Sequence, residues 1–153
     1  MIISDVFKTR LDLARSMGAD DCFNPIEENF SEAIAGLTDG EMCDLTVEAA
    51  GISATAQISV DALRNSGTAV WIGNAQKMVQ VDMQKIVTNE IKIAGSYIYS
   101  MEIFSECVSL LSRKNINIEP IITNTMLMED GVGAFDLLDN NKNGSVIKII
   151  LKN

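Results

Sequence analysis

Histidine is missing altogether from the 153 residues, and that absence excludes more chemistry than any motif includes. Without an imidazole there is no Ser-His or Cys-His nucleophilic pair, no histidine proton relay and no histidine-containing zinc site. Cysteine is scarce. Cys22, Cys43 and Cys107 are odd in number and form no Cys-x-x-Cys pair, so neither a metal site nor a disulfide framework is expected. Standing in apolar stretches, they read as small buried hydrophobes in a reducing cytoplasm. No apolar run approaches the ~18 residues a membrane span needs, and the first residues lack the basic-then-apolar pattern of a secretion signal. Positive charge is short as well: 12 Lys and Arg against 21 Asp and Glu leave a net charge of −9. A nucleic-acid partner is therefore not expected, since its binding needs a cationic face.

What is present is ordinary globular material, 47% hydrophobic, enough for one domain with a real core. Residues 1–4 read as a short strand with Asp5 at its C-terminal tip. Leu11, Leu13, Ala14 and Met17 recur at helical spacing and predict a helix over 8–17, stopped by Gly18. A short strand at 22–24 closes at Pro25, and Phe30, Ala33, Ile34 and Leu37 line a second helix that ends at Asp39-Gly40. Residues 43–50 are a buried strand that Gly51 turns into a helix, with Ser53 as N-cap and Ala56, Val60 and Leu63 facing inward. Asn65-Ser66-Gly67 reads as a turn before a strand at 68–73. Residues 79–83 alternate like an edge strand, 83–88 make a short helix, and 90–97 one more strand. This alternation predicts a mostly parallel sheet with helices on both faces, its strands buried on both sides. After Ser100 come an amphipathic helix carrying Ile103, Phe104, Cys107, Val108, Leu110 and Leu111, a short strand at 121–123, and a helix at 128–138 weakened by Gly131 and Gly133. An Asn-rich turn at 140–144 and a last strand at 146–151 complete the chain.

Ligands of open α/β sheets bind beyond the carboxyl ends of the strands, so the strand tips are the places to look. An acid at such a tip can accept hydrogen bonds from both hydroxyls of an adenine ribose and repel a 2′-phosphate, which would select NAD over NADP. Asp5 fits that description, and equally fits a helix N-cap. Arg10 would lie over the adenine edge or be a solvated helix residue. The other tips are 49–51, 72–74 and 96–98, where Gly51 and Gly73 would let a ligand approach the backbone or simply make turns. The net charge does not exclude a dinucleotide, whose phosphates backbone N–H groups and helix N-termini can hold. Glu48, late in a buried strand, needs a partner or a helix N-terminus and reads as structural. Tyr97 and Tyr99 are phenols with no base nearby.

The run from Ser4-Asp5-Val6-Phe7 through Met17-Gly18-Ala19-Asp20 resembles the stretch after the first βα unit of zinc-dependent medium-chain alcohol and polyol dehydrogenases. Asp44-Leu45-Thr46-Val47-Glu48-Ala49-Ala50-Gly51, Gly67-Thr68-Ala69-Val70-Trp71-Ile72-Gly73 and Ile93-Ala94-Gly95-Ser96-Tyr97 are similar to later landmarks. The ending, with Glu119-Pro120-Ile121-Ile122-Thr123, Ala134-Phe135 and Ile147-Lys148-Ile149, fits as well. Sorbitol and butanediol dehydrogenases resemble it most.

The resemblance implies an α/β fold: an incomplete Rossmann domain, a doubly wound parallel sheet lacking its first strand, over 1–99. A segment at 100–153 would return to the catalytic domain. It implies NAD as cofactor, with Asp5 on the adenine ribose, Arg10 beside the adenine and Ala50 and Gly51 along the dinucleotide. Ile72, Gly73, Asn74, Ser96 and Ile98 would border the nicotinamide. Ile98 stands where some polyol dehydrogenases carry an arginine. The family's zinc ligands and its Gly-x-Gly-x-x-Gly turn have no counterpart in these residues. The expected function is thus a fragment of an alcohol or polyol oxidoreductase, inactive alone, cytoplasmic, with a small-molecule substrate. In sheet order 3-2-1-4-5-6 the lacking strand is central, so the strands at 1–4 and 43–50 would each have an open edge. That favours association into homo-oligomers, or a binding or oligomerisation module completed by a separately encoded N-terminal half. A Rossmann-like protein for another adenosine ligand, such as S-adenosylmethionine, is a third reading.

Overall fold

The computed structural model describes residues 1–113 and 116–153. In chain order these form β1 (Ile2–Ser4), α1 (Lys8–Ser16), β2 (Asp21–Phe23), α2 (Phe30–Leu37), β3 (Cys43–Glu48), α3 (Ser53–Asp61) and β4 (Leu63–Trp71). There follow α4 (Met83–Thr88), β5 (Lys92–Gly95), α5 (Met101–Ser112), β6 (Ile122–Leu127), α6 (Gly131–Asp139) and β7 (Lys148–Lys152), with 3-10 turns at Glu119–Ile121 and Met128–Asp130. Every strand pair is parallel, as βα alternation requires, but the strands make three separate small sheets, β1-β2, β3-β4-β5 and β6-β7, and not the single sheet expected. No helix among the described residues is long and apolar enough to cross a membrane. The chain divides into two compact units, one of residues 1–28 with 100–153 and one of residues 29–99.

In the first unit, α1 carries the chain from β1 back to β2. Its Leu11 packs with Ala19 and Cys22, and Ile3 and Ala14 lie against them. The helix stops where the sequence predicts: Met17 is the C-cap and Gly18 follows at φ +102°, a conformation that suits only glycine. The same unit holds β6 and β7, joined through a 3-10 turn and α6. The predicted helix at 128–138 therefore begins later, at Gly131. Ser100 caps α5 by accepting the Ile103 N–H. No residue of α5 is buried, and Ile103 and Phe104 stand exposed. Cys107 on this helix is exposed, so the expectation of three buried thiols fails there; Cys22 is buried and Cys43 partly so.

In the second unit, α3 lies over one face of β3-β4-β5. Val60, Leu63, Ala69 and Ile91 form the core beneath it, with Trp71 and Ile86 packed on. Ser59 ties helix to sheet, its carbonyl accepting from Thr46 Oγ1 at 2.9 Å and its hydroxyl from the Trp71 indole N–H at 3.0 Å. The opposite face is open. Leu45 and Val47 are 57% and 60% exposed, so these strands are not buried on both sides as their apolar runs suggest.

Three local expectations are corrected. Residues 79–82 form no strand, because side chains of α3 take their N–H groups: Gln80 N–H donates to Ser53 Oγ at 3.1 Å and Asp82 N–H to Gln57 Oε1 at 2.7 Å. Ser53 is the first helical residue and not the N-cap, which is Ile52. Residues 65–67 are not a free turn. They lie inside β4, which starts at Leu63, and fill the register shift between Cys43 and Leu45, with Ser66 at φ +60°.

Thiol chemistry checks this placement. Burial, and then the Asp44 carboxylate beside it, push the Cys43 thiol above its ordinary range. Iodoacetamide should therefore modify Cys107 first, Cys43 more slowly and Cys22 last, read by mass spectrometry of peptides from the native protein.

Candidate functional site

Asp5 leaves β1 at its carboxyl end. Its Oδ1 accepts the Phe7 N–H at 2.8 Å, an Asx turn that sets the approach to α1 without capping it; the cap position belongs to Phe7. Its Oδ2 lies 3.5 Å from Arg10 Nη1. The Arg10 guanidinium lies over the Phe7 ring, 4.9 Å from its centroid, and its Nε is buried with no hydrogen-bond partner among the described residues. The geometry thus joins Asp5 to Arg10 and adds Phe7, which sequence reasoning passed over. An aromatic residue three positions before an arginine at a helix start was the available signal.

In the second unit the predicted residues gather where β3 and β4 end. Ala50 and Gly51 follow β3, and both N–H groups donate to Glu48 Oε1, at 2.9 and 2.7 Å. Ile72 and Gly73 follow β4, and their N–H groups donate to the Glu48 carbonyl at 2.9 and 3.1 Å. Gly51 sits at φ +72°, and the Gln76 N–H donates to its carbonyl at 2.9 Å. The two turns pass so close that a Cβ on Gly73 would stand inside the Gly51 backbone, and one on Gly51 inside Asn74 and Ala75. Ser96, just past β5, donates its N–H to the Trp71 carbonyl at 2.9 Å. Ile98 is exposed, at φ +62°. Two further residues belong to this ledge. Thr55 donates its hydroxyl to Glu48 Oε1 at 2.5 Å, and Gln76 Oε1 accepts from the N–H and hydroxyl of Ser53 at 3.0 and 3.2 Å. A strand-end glutamate followed by a threonine one helical turn into the next element was the only hint of the first.

An open concavity of about 620 Å³ lies at the other ends of these strands, lined by Gly40, Met42, Arg64 and Lys85 among others. Its cations are already engaged, Arg64 with Asp44 at 2.5 Å and Lys85 with Asp61 at 2.8 Å. The strand-end ledge, where Ala50, Ile72 and Asn74 stand exposed around the buried Gly51, lies at the strand ends where open α/β sheets bind their ligands.

Residues 1–113 match the profile of the zinc-binding dehydrogenases. The chain belongs to that family. It is 32% identical to the sorbitol dehydrogenase of Gallus gallus over 99% of its length, and spans 42% of that protein. Among solved structures it superposes on the L-idonate 5-dehydrogenase of Escherichia coli with a TM-score of 0.85 at 22% identity. There it covers 99% of this chain and 42% of the other. It also superposes on a short chain alcohol dehydrogenase of Escherichia coli, in complex with NADH, with a TM-score of 0.86 at 24% identity, covering 99% and 44%. At those identities the superpositions establish the fold, a parallel α/β fold of the dehydrogenase type. The chain thus spans less than half the length of the relatives it matches.

Zinc itself finds no fit among these residues: no three His, Cys, Asp or Glu side chains cluster closely enough to hold a metal among the described residues.

The glycines separate close approach from mere punctuation. Gly73→Ala should destabilise by about 1–3 kcal/mol through overpacking. Gly36→Ala in α2, where a Cβ meets nothing within 4 Å, should leave stability equal or raise it by up to about 1 kcal/mol. Urea unfolding of the two variants reads the difference.

Proposed function

We propose that this chain forms the cofactor-facing part of an NAD-dependent, zinc-type alcohol or polyol dehydrogenase working in the cytoplasm. In this reading residues 1–99 are the NAD-binding portion and residues 100–153 return to a catalytic domain. The observation that carries it is the pairing of family membership with a strand-end acid, Asp5, whose Oδ2 lies at the margin of hydrogen-bond reach from Arg10. The Asp5 carboxylate accepts the ribose hydroxyls and its charge disfavours a 2′-phosphate. Arg10, stacked on Phe7, flanks the adenine. Ala50 and Gly51 offer a surface along the dinucleotide, while Ile72, Gly73, Asn74, Ser96 and Ile98 border the nicotinamide. NAD, when bound, supplies a hydride acceptor at C4 of its nicotinamide. The chain contributes orientation and cofactor choice. Metal ligands and a Gly-x-Gly-x-x-Gly phosphate turn are not among its residues, so by itself it should not oxidise alcohols.

The test is a chimera in which this chain replaces the matching 42% of the Gallus gallus sorbitol dehydrogenase. The chimera should form NADH from a polyol. Asp5→Ala in it should raise the KM for NAD by about 10-fold or more, the loss of hydrogen bonds to a charged group, and narrow the preference over NADP. Polyol-dependent NADH formation by the unfused chain, or an Asp5→Ala chimera with unchanged cofactor preference, would contradict the proposal.

A second reading is favoured by the open edges. Among the described residues β1 bonds only β2 and β3 bonds only β4, and Leu45 and Val47 are exposed beside the latter edge. On that reading the chain is a binding or oligomerisation module, self-associating or completed by a separately encoded N-terminal half. Sedimentation equilibrium should then show concentration-dependent association; a monomer at all concentrations that unfolds in one sharp step speaks against it.

A further inference from the structure

We propose that Glu48 is a positioning residue that holds the two strand-end turns together as one preformed ledge, resting on the cofactor reading only for the identity of the ligand. The residue is 4% exposed, yet it carries a carboxyl group at the end of an apolar strand. A group so placed is tolerated only if donors replace the water it has lost. One oxygen, Oε1, meets three of them: Ala50 N–H at 2.9 Å, Gly51 N–H at 2.7 Å and the Thr55 hydroxyl at 2.5 Å. The other, Oε2, faces the second turn and stands 2.5 Å from where a Cβ on Gly73 would be. The main-chain carbonyl of the same residue accepts from Ile72 and Gly73. One residue thereby grips the exit of β3, the first turn of α3 and the exit of β4.

Charge adds a second argument. Helix α3 has no side-chain cap from Ile52 and no acidic residue in its first turn. A helix N-terminus attracts an anion, and here the anion is Glu48, reaching back from β3 to Thr55 and to the N–H groups that lead into the helix. At the end of α3 itself the Ser53 N–H goes to Gln76 Oε1, and Glu48 takes the Thr55 hydroxyl. A ligand on this ledge meets the exposed Ala50, Ile72 and Asn74, held in a fixed contour by the buried Gly51 and Glu48 beneath them. Glu48 touches no ligand itself and acts through the turns it holds.

Amide hydrogen exchange of the native chain, followed by NMR, decides this without any ligand. In Glu48→Ala and in Glu48→Asp, whose carboxylate is one methylene short, the Ala50 and Gly51 amides should exchange at least about 10-fold faster, having lost a charge-assisted acceptor, while the Gly73 amide, which keeps its main-chain acceptor at position 48, should quicken less, and only through loosening of the turn. In Glu48→Gln, which keeps one acceptor oxygen, most of that protection should return. The Ala69 and Val70 amides, in the β4 ladder, should be unchanged in all three. Ile91→Val loosens the same core without touching either turn and serves as the control. Should Glu48→Ala fail to fold, Glu48→Gln and Thr55→Val carry the test, with Thr55→Val speeding exchange at Ala50 and Gly51 but not at Ala69. Unchanged protection at Ala50 and Gly51, or a loss spread evenly over β4, overturns the proposal. Titration with NADH adds the functional arm: affinity should fall about 10-fold or more in Glu48→Ala, recover in Glu48→Gln, and hold within about 2-fold in Ile91→Val. Equal losses in Glu48→Ala and Ile91→Val would reduce Glu48 to a general stabiliser and overturn the positioning role. A native chain that ignores NADH counts against the cofactor reading alone, since the exchange arm still decides what Glu48 holds.

Discussion

A carboxylate taken out of water must find donors or lose its charge, and the arrangement around Glu48 is organised by that requirement. The donors it finds are the two N–H groups of a turn and a hydroxyl one helical turn later, so satisfying the charge also fixes the path from β3 into α3. The same residue's carbonyl takes the N–H groups that leave β4. Two glycines are then needed where the turns cross, because no Cβ fits between them. Burial, hydrogen bonding and glycine placement are one constraint expressed three ways.

Parallel pairing imposes the other constraint. A parallel strand cannot be completed by a hairpin, so its neighbours must arrive through crossovers from elsewhere in a chain. Among the described residues β1 and β3 each have one neighbour, and the face bearing Leu45 and Val47 has no cover. The zinc-binding dehydrogenases it matches are more than twice as long. On the proposed reading, these open edges and bare apolar faces are where the rest of the dehydrogenase would pack. The α5 helix, amphipathic yet without a buried residue, presents the same condition in the other unit.

Much of this was readable from residue pattern. Gly18 marks a helix end because only glycine is at ease there, and Asp5 falls at a strand tip because the apolar run before it ends in Ser4. The parallel pairing of β3, β4 and β5 follows from their separation by helices. Other features depended on partners that spacing does not reveal. Residues 79–82 alternate like a strand, but Ser53 and Gln57 reach them first. The exposure of Leu45 and Val47 was hidden because apolar character states what a face needs, not whether a chain supplies it. Thr55 and Gln76 joined the ledge through contacts visible only once α3 was in place. The carboxylate that organises the ledge was itself read only as structural. Its position was clear from the sequence, and its role required the distances.

The account rests on the strand ends, and not the open concavity at their starts, being the ligand surface. Chemical-shift mapping of the chain with NAD, by an NMR method that registers even weak binding, tests this most directly. The account predicts shifts confined to Asp5, Phe7 and Arg10 in one unit and to Gly51, Gly73, Asn74 and Ser96 in the other. Shifts centred on Met42, Arg64 and Lys85, or none at any concentration, would contradict it.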